Sequence, residues 1–401
     1  MNGPGAVSQT LREDEDTIGF DIVSLVRSAG QLRAGRLAFA DDSSGREDSL
    51  TFGQFNTLAS SYAAALHAFG LQPGERILVS GGTSVRAFAA LCAALAAGLD
   101  AAIAGRHLDV QETAAFARAI GAAAIVADVA RTDSALAEHL LQSAAQADCV
   151  RLAVSLDTDP PDGAISIVEA SGAGQQKPDR RYEARIITRG ADGRPAIHKQ
   201  QTIVTAGLDF ISQAQISAGA TIVSTILPAS FAGLVCGPVA SLLTGAAMVL
   251  HAPFDSKRLV ARIETEKPVQ LIVPAAIAAH LAAAPFLSSQ SLATLVFLSR
   301  FDDIVSDLST LLLPKAPGCS CAVTDLLAFG ETAVFAERRD IAGASKVPLA
   351  RNHTIQMDGR EIVAIRAVRH LLDTNGVRSA RLTFEGAAVS KPDRTYHEHT
   401  A

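Results

Sequence analysis

The sequence predicts an α/β protein of mostly parallel sheets with helices on their faces, in two subdomains, followed by a small β-rich C-terminal piece. Three observations predict it. From Leu50 to Ser155 short apolar runs alternate with segments of helical apolar spacing, the pattern of buried parallel strands joined by crossover helices. The alternation resumes at Ala184 and runs to Thr332, after a polar linker, Asp157 to Glu183, that carries Pro160, Pro161, Gly172, Gly174 and Pro178. Beyond Thr332 the pattern changes to short segments divided by Gly and Asp turns, namely Val334–Ala336, Thr354–Met357, Ile362–Ile365 and Ala380–Phe384.

In chain order, residues 1–18 read as a loose leader and Phe20 to Val26 as the start of a helix. Thr51 can cap a helix whose apolar positions are Phe55, Leu58, Tyr62, Leu66 and Phe69, and Gly70 closes it. The turn Pro73-Gly74-Glu75-Arg76 leads into a buried strand, Ile77 to Val79, and a helix from Val85 to Ala97. A helix over Gln111–Ile120, a strand over Ala123–Ala127, a helix over Ser134–Gln146 and a strand over Arg151–Ser155 complete the first half. The second half gives strands at Thr221–Leu227, Ala246–Leu250, Gln270–Val273, Leu295–Leu298 and Ser320–Val323. Its helices fall at Leu234–Leu243, Ser256–Glu264, Ala275–Ala283 and Asp303–Leu313. The expected divisions are 1–18, 19–182, 183–332 and 333–401.

Composition narrows the function classes. With 48% apolar and 19% charged residues over 401 positions, the chain is a folded protein of two or three domains. A net charge of −6 gives no reason to expect a nucleic acid or an acidic membrane as partner. Five cysteines in such a length make no disulfide framework: Cys319 and Cys321 are too close for the usual metal spacing, and Cys92, Cys149 and Cys236 are lone apolar positions. No metal site is expected from them. Free thiols in a reducing cytosol are the expected state, and the acid-rich start (Glu13 to Asp16) is no secretory signal, so the expected location is cytoplasmic. Ala87–Leu99 is too short to span a membrane. Phe210–Phe254 contains no Asp, Glu, Lys or Arg, but Pro228, Gly233, Gly237, Pro238 and Gly245 break it, which suits a soluble core.

The stretch from Ala184 to Val204 is organised around a glycine loop. Ile186 and Ile187 read as a strand, Gly190 and Gly193 as a loop, and the residues after Pro195 as a helix. Strand, glycine loop and helix present backbone N–H groups to a phosphate. An ordinary strand-to-helix turn is the competing reading. Ser80-Gly81-Gly82-Thr83-Ser84 is a second such turn, read as a helix cap, and His397-Glu398-His399 falls in a tail expected to be frayed.

The loop resembles the signature T-S-G-T-T-G-x-P-K-G of the adenylate-forming superfamily of acyl-CoA synthetases, luciferases and peptide-synthetase adenylation domains. Thr188, Gly190, Gly193 and Pro195 match it, whereas Arg189, Ala191, Asp192 and Ala196 do not. Phe329-Gly330-Glu331-Thr332-Ala333 resembles the family's Y-G-x-T-E, with Ala333 where the family has its Mg²⁺ carboxylate. The turn Gly70-x-x-Pro73-Gly74-x-Arg76, together with Gly245, Phe254-Asp255 and Val273-Pro274, extends the resemblance over Leu50 to Thr332.

The resemblance implies a two-subdomain αβαβα sandwich with the loop in the cleft between subdomains. It implies ATP or AMP with Mg²⁺ as cofactors, near Thr188, Arg189, Gly190, Asp192, Gly193, Phe329 and Gly330. Thr332 would be the catalytic threonine that touches phosphate, and a small carboxylic acid or acyl group the partner. Ser299-Arg300-Phe301-Asp302 stands where the family has its glycine-rich adenine wall, no T-G-D stretch follows, and the family's lid domain would have to come from a partner chain. A carboxylate at 192 facing a triphosphate at ~4 Å would repel it by about 4 kcal/mol at an effective dielectric near 20. Two expectations follow: a family member with a degenerate ATP site, impaired in adenylation and binding an acyl group or nucleotide, or an active ligase with an atypical site.

Overall fold

The computed structural model describes residues 20–42, 48–81, 84–172, 182–252, 254–266, 268–281, 284–301, 320–339, 352–357, 359–374 and 377–390. The leader, Gly82 and Thr83, the helix expected over Asp303–Leu313, Cys319 and the His397–His399 tail lie outside them.

Apolar runs with no polar alternation become strands buried on both faces, as parallel sheets require. One sheet has eight strands in the spatial order Ala333–Arg338, Ala322–Phe329, Leu292–Phe301, Val269–Pro274, Thr221–Ser224, Ala247–Leu250, Leu37–Asp41 and Ser49–Thr51. It is parallel except for the outermost pair at each edge. A second sheet has seven, in the order Ile165–Ser166, Leu152–Ser155, Ala122–Ala127, Arg76–Ser80, Asp100–Ala104, Arg185–Arg189 and Pro195–Lys199. It too is parallel but for its last pair. The C-terminal piece is an antiparallel three-stranded sheet of Asn352–Met357, Arg360–Thr374 and Val377–Glu385.

The layers are αβαβα, as expected. A shared central layer of helices fills the space between the two large sheets, and one continuous apolar core joins all three. Helix Val85–Ala96 belongs to it: its Ala-rich sequence buries ten of twelve residues, so it is covered on every side. Phe88 stacks on Phe55, with Phe39 of the eight-stranded sheet against both at 5.4 and 4.6 Å between centroids. Helices Val110–Ile120 and Ser134–Gln146 cover the outer face of the seven-stranded sheet, and Ser256–Thr265 covers that of the eight-stranded sheet. Thr51, the cap read from the sequence, forms a capping box with Gln54 at helix Phe52–Ala68, and Asp109 forms a second with Glu112 at Val110–Ile120.

Details of the structure depart from the sequence reading, among them that the helix expected over Ala275–Ala283 is a 3-10 turn, Ala275–Ile277, and a short helix, Ala278–Leu281. Residues Pro195–Lys199 are a strand, and the helix starts only at Gln200. Proline suits the first residue of an edge strand, where no ladder N–H is needed, as well as it suits a helix start, so Pro195 alone does not decide. The sheets also do not divide at residue 183. The strand Leu37–Asp41 pairs with Ala247–Leu250 in the eight-stranded sheet, and Arg185–Arg189 joins the seven-stranded one beside Asp100–Ala104. Finally, the helix expected over Leu234–Leu243 is interrupted by a π turn, Val235–Val239, because Pro238 has no N–H to donate to the preceding turn.

Candidate active-site cleft

Strands of both large sheets end at one cleft of about 1040 Å³. The seven-stranded sheet contributes Ala104 and Gly105 after one strand and Arg189, Gly190 and Ala191 after another; the eight-stranded sheet contributes Thr225–Leu227, Pro274–Ala276, Leu298–Phe301, Gly330 and Glu331. A crevice beyond the carboxyl ends of parallel strands is where open α/β sheets bind ligands.

The glycine loop forms part of this wall, as the tip of a β-hairpin. Arg185–Arg189 pairs antiparallel with Pro195–Lys199, and Arg189 stands opposite Pro195. Gly190 N–H donates to the Arg194 carbonyl at 2.8 Å, and Gly193 N–H to the Gly190 carbonyl at 2.9 Å. The third turn amide, Arg194 N–H, donates to Asp192 Oδ1 at 3.0 Å. Three N–H groups that an anion nest would present are thus used inside the turn. Gly193 has φ +82°, open to glycine, and a Cβ there would meet Arg189 Nη2 at 3.2 Å. Arg189 itself lines the cleft and donates to Glu112 at 3.2 Å. Asp192 stays in solvent beside Arg194, 62% exposed, with 3.6 Å between Oδ2 and Arg194 Nε.

Thr188 points away from the cleft. It is fully buried, and its hydroxyl lies 2.7 Å from Nε2 of His198 on the paired strand. His198 Nδ1 meets the Ser390 hydroxyl, and the ring stacks on Phe231 at 4.8 Å. Complete burial pushes this imidazole down to about 3, so it is neutral at ordinary pH and carries one ring N–H.

The second motif lies where the strand Ala322–Phe329 turns back into Ala333–Arg338. Phe329 is 1% exposed, packed between Phe301 and Phe384 at 5.3 and 4.6 Å. Gly330 lines the cleft and donates its N–H to the Phe301 carbonyl. Thr332 donates its N–H to the Phe329 carbonyl and accepts at its own carbonyl from Ser390 N–H. Ala333 is buried. The structure therefore brings Arg189, Gly190 and Gly330 to one cavity, and it places Thr188 and Phe329 inside the core and Asp192 in solvent.

Sequence reasoning named Arg300 and Glu331 separately, in two motif stretches, and did not join them into the polar cluster they form on the opposite wall. Glu331 is 8% exposed, and its Oε2 accepts from Phe231 N–H at 2.6 Å. Its Oε1 lies 3.8 Å from Arg300 Nη1, while Arg300 Nη2 donates to the Ser230 hydroxyl at 2.9 Å. Ser230 caps the short helix Phe231–Leu234. The spacing gave a hint in Ser230, a capping residue directly before an apolar run, but nothing in the sequence joins positions 230, 300 and 331. Among the described residues no group of three or more His, Cys, Asp or Glu could hold a metal ion, and no helix is long and apolar enough to cross a membrane.

Two parallel sheets around a shared helical layer, with one cleft at their carboxyl ends, define an α/β ligand-binding architecture. The chain belongs to the AMP-binding enzyme family, whose model matches residues 26–336. A search of curated proteins finds no match. Among solved structures it is similar to a benzoate CoA ligase from Burkholderia xenovorans LB400, at 19% identity and TM-score 0.62, over 84% of this chain and 70% of that one. It is also similar to ATP-bound MatB from Rhodopseudomonas palustris, at 16% identity and TM-score 0.63, over 92% and 71%. A third likeness is to the N-terminal subdomain of NpsA from Klebsiella oxytoca in complex with 3-hydroxyanthranilyl-AMSN, at 14% identity and TM-score 0.62, over 92% and 88%. At these identities the likeness is one of fold.

Proposed function

We propose that this family member is a cytoplasmic protein that binds a small carboxylic acid or acyl group in its cleft and does not perform standard ATP-dependent adenylation. The observation that carries the reading is the hairpin: the N–H groups of Gly190, Gly193 and Arg194 bond within the turn, and the Thr188 hydroxyl is committed to His198. Adenylation develops charge on phosphate oxygens and needs hydroxyls, N–H groups, a cation and Mg²⁺ aimed at them. The residues present do not fit that demand. The loop's lysine position is Ala196, the Mg²⁺ carboxylate position is Ala333, and Phe329 is packed inside the core. The cleft remains large and mostly apolar, with Arg189 and Arg300 in its walls, which suits an apolar body bearing one negative group.

Calorimetric titration with benzoate, octanoate, AMP and ATP·Mg²⁺, paired with pyrophosphate exchange into ATP, tests this. Binding of the acids with no acid-dependent exchange is the expected result. Exchange above background with pure protein would instead make the chain an active ligase with an atypical site.

A further inference from the structure

We propose that Arg300 is the residue that recognises the negative group of the cleft's ligand, and that this group is a carboxylate. The inference rests on the cleft being a small-acid site, as read above. Arg300 ends a central strand of the eight-stranded sheet, and its side chain is 54% exposed at the cleft wall. A guanidinium has five N–H donors in a planar fork. One of them bonds to Ser230 at 2.9 Å, and Nη1 faces Glu331 at 3.8 Å; the other donors make no hydrogen bond among the described residues. Glu331 is itself buried and held by Phe231 N–H at 2.6 Å. A half-exposed guanidinium held by its hydrogen bond to Ser230, with the fixed Glu331 carboxylate 3.8 Å away, is a preorganised cation with part of its fork left for a second oxyanion.

The surroundings select the ligand class. Ile226, Leu227, Ala229, Pro274 and Leu298 line the same cavity. An apolar body carrying one carboxylate satisfies them, whereas a polyphosphate needs several donors, and three of the nearby hairpin N–H groups already bond within their own turn. Arg189 shares its guanidinium with Glu112 on the far wall, where His107 also lines the cleft, and Arg300 is the arginine beside the apolar residues of the strand-end wall.

The test is the affinity ratio of acid to neutral amide, using benzoate against benzamide and octanoate against octanamide, in the parent and in Arg300→Gln and Arg300→Lys. The parent should favour the acids. Arg300→Gln should weaken acid binding by about tenfold or more, as loss of a charge-assisted hydrogen bond predicts, and leave amide binding unchanged. Arg300→Lys should recover part of the acid preference, since it keeps the charge and loses the fork. A merely structural role would lower acid and amide affinity together and leave the ratio intact, and that result overturns the proposal. Phenyl phosphate is the third arm: a loss in Arg300→Gln confined to this ligand, with benzoate unaffected, overturns the carboxylate assignment. If the parent binds none of the acids, the small-acid reading itself fails. If it binds them and the ratio survives Arg300→Gln, only the role of Arg300 fails.

Discussion

The two walls of the cleft use polar groups in opposite ways. On the hairpin wall, Gly190, Gly193 and Arg194 bond within the turn, Thr188 serves His198, and Asp192 is left in solvent. On the opposite wall, Glu331 is buried on a backbone amide, and Arg300, bonded to Ser230 and 3.8 Å from Glu331, lines the cavity. The first wall satisfies itself; the second spends buried groups on presenting one. The glycine loop is thus the tip of a hairpin and not the strand-to-helix turn its sequence suggests, and three of its N–H groups bond within the turn. On the reading proposed above, the hairpin wall braces the fold and the strand-end wall is the one that meets a ligand.

The largest way to break this contrast is to remove the brace. His198→Ala deletes a buried ring stacked on Phe231 and leaves the Thr188 and Ser390 hydroxyls without their shared partner. The cavity and the stranded hydroxyls together should cost about 3–5 kcal/mol. Urea unfolding should record it as a lower midpoint with an unchanged slope. An unaltered midpoint would mean that the hairpin holds its shape without His198.

On the other wall the expected effect is smaller. Glu331→Ala strands Phe231 N–H and frees Arg300, and it should cost about 2–3 kcal/mol, the scale of a hydrogen bond to a charged group with its desolvation. Glu331→Gln keeps an acceptor for that amide and should cost less than half as much in the same unfolding measurement. Equal losses from the two variants would show that the charge on Glu331, and not its acceptor, holds the wall.

The fold was legible where period and punctuation agree. The helix Ser134–Gln146 and the cap at Thr51 follow from local chemistry, and the structure has both. The hairpin was not. Over five residues, Pro195 to Lys199, Ile197 and His198 support a strand or a first helical turn equally, and only pairing with Arg185–Arg189 settles it. The strand Leu37–Asp41 was not read either: its near partner, Ser49–Thr51, is only three residues long, and its other partner, Ala247–Leu250, lies about two hundred residues away. In the site, Arg189, Gly190 and Gly330 could be named because a resemblance pointed to them, whereas His198 bonds to Ser390 across 192 positions. Contacts at that separation leave no local pattern.

pH sharpens the comparison through two histidines of opposite sign. His198 is pushed down to about 3 by burial, so the folded state resists its protonation. Stability should fall as pH drops below the ordinary histidine value of 6.5 and keep falling toward 3. His353, on the C-terminal sheet, lies between Asp209 at 2.8 Å and Glu337 at 3.5 Å. Desolvation pulls its value down, but the two carboxylates outweigh that and leave it raised above 6.5. Its contribution is complete below pH 6.5 and is lost as pH rises through the raised value. Urea midpoints measured across this range should lose their alkaline decline in His353→Gln and keep their acid decline. An unchanged alkaline limb in that variant would remove His353 from the account.

The smallest expected effect belongs to Asp192, the residue that sequence reasoning weighted most. A carboxylate ~4 Å from a phosphate would repel it by about 4 kcal/mol at an effective dielectric near 20. The side chain, however, is 62% exposed, takes Arg194 N–H at 3.0 Å and has the Arg194 guanidinium 3.6 Å away. It is absent from the residues that line the cleft. An exposed charge already beside an opposite one contributes less than about 1 kcal/mol, and salt at physiological strength screens it beyond ~8 Å. Asp192→Asn keeps the acceptor for the turn amide and removes only the charge. Affinity for benzoate, and any affinity for AMP, should therefore change by less than about threefold at physiological salt, within the screening bound just given. Calorimetric titration at low and physiological salt checks it. A gain of tenfold or more would bring the carboxylate into the cleft, and the hairpin wall would then face the ligand as the opposite wall does.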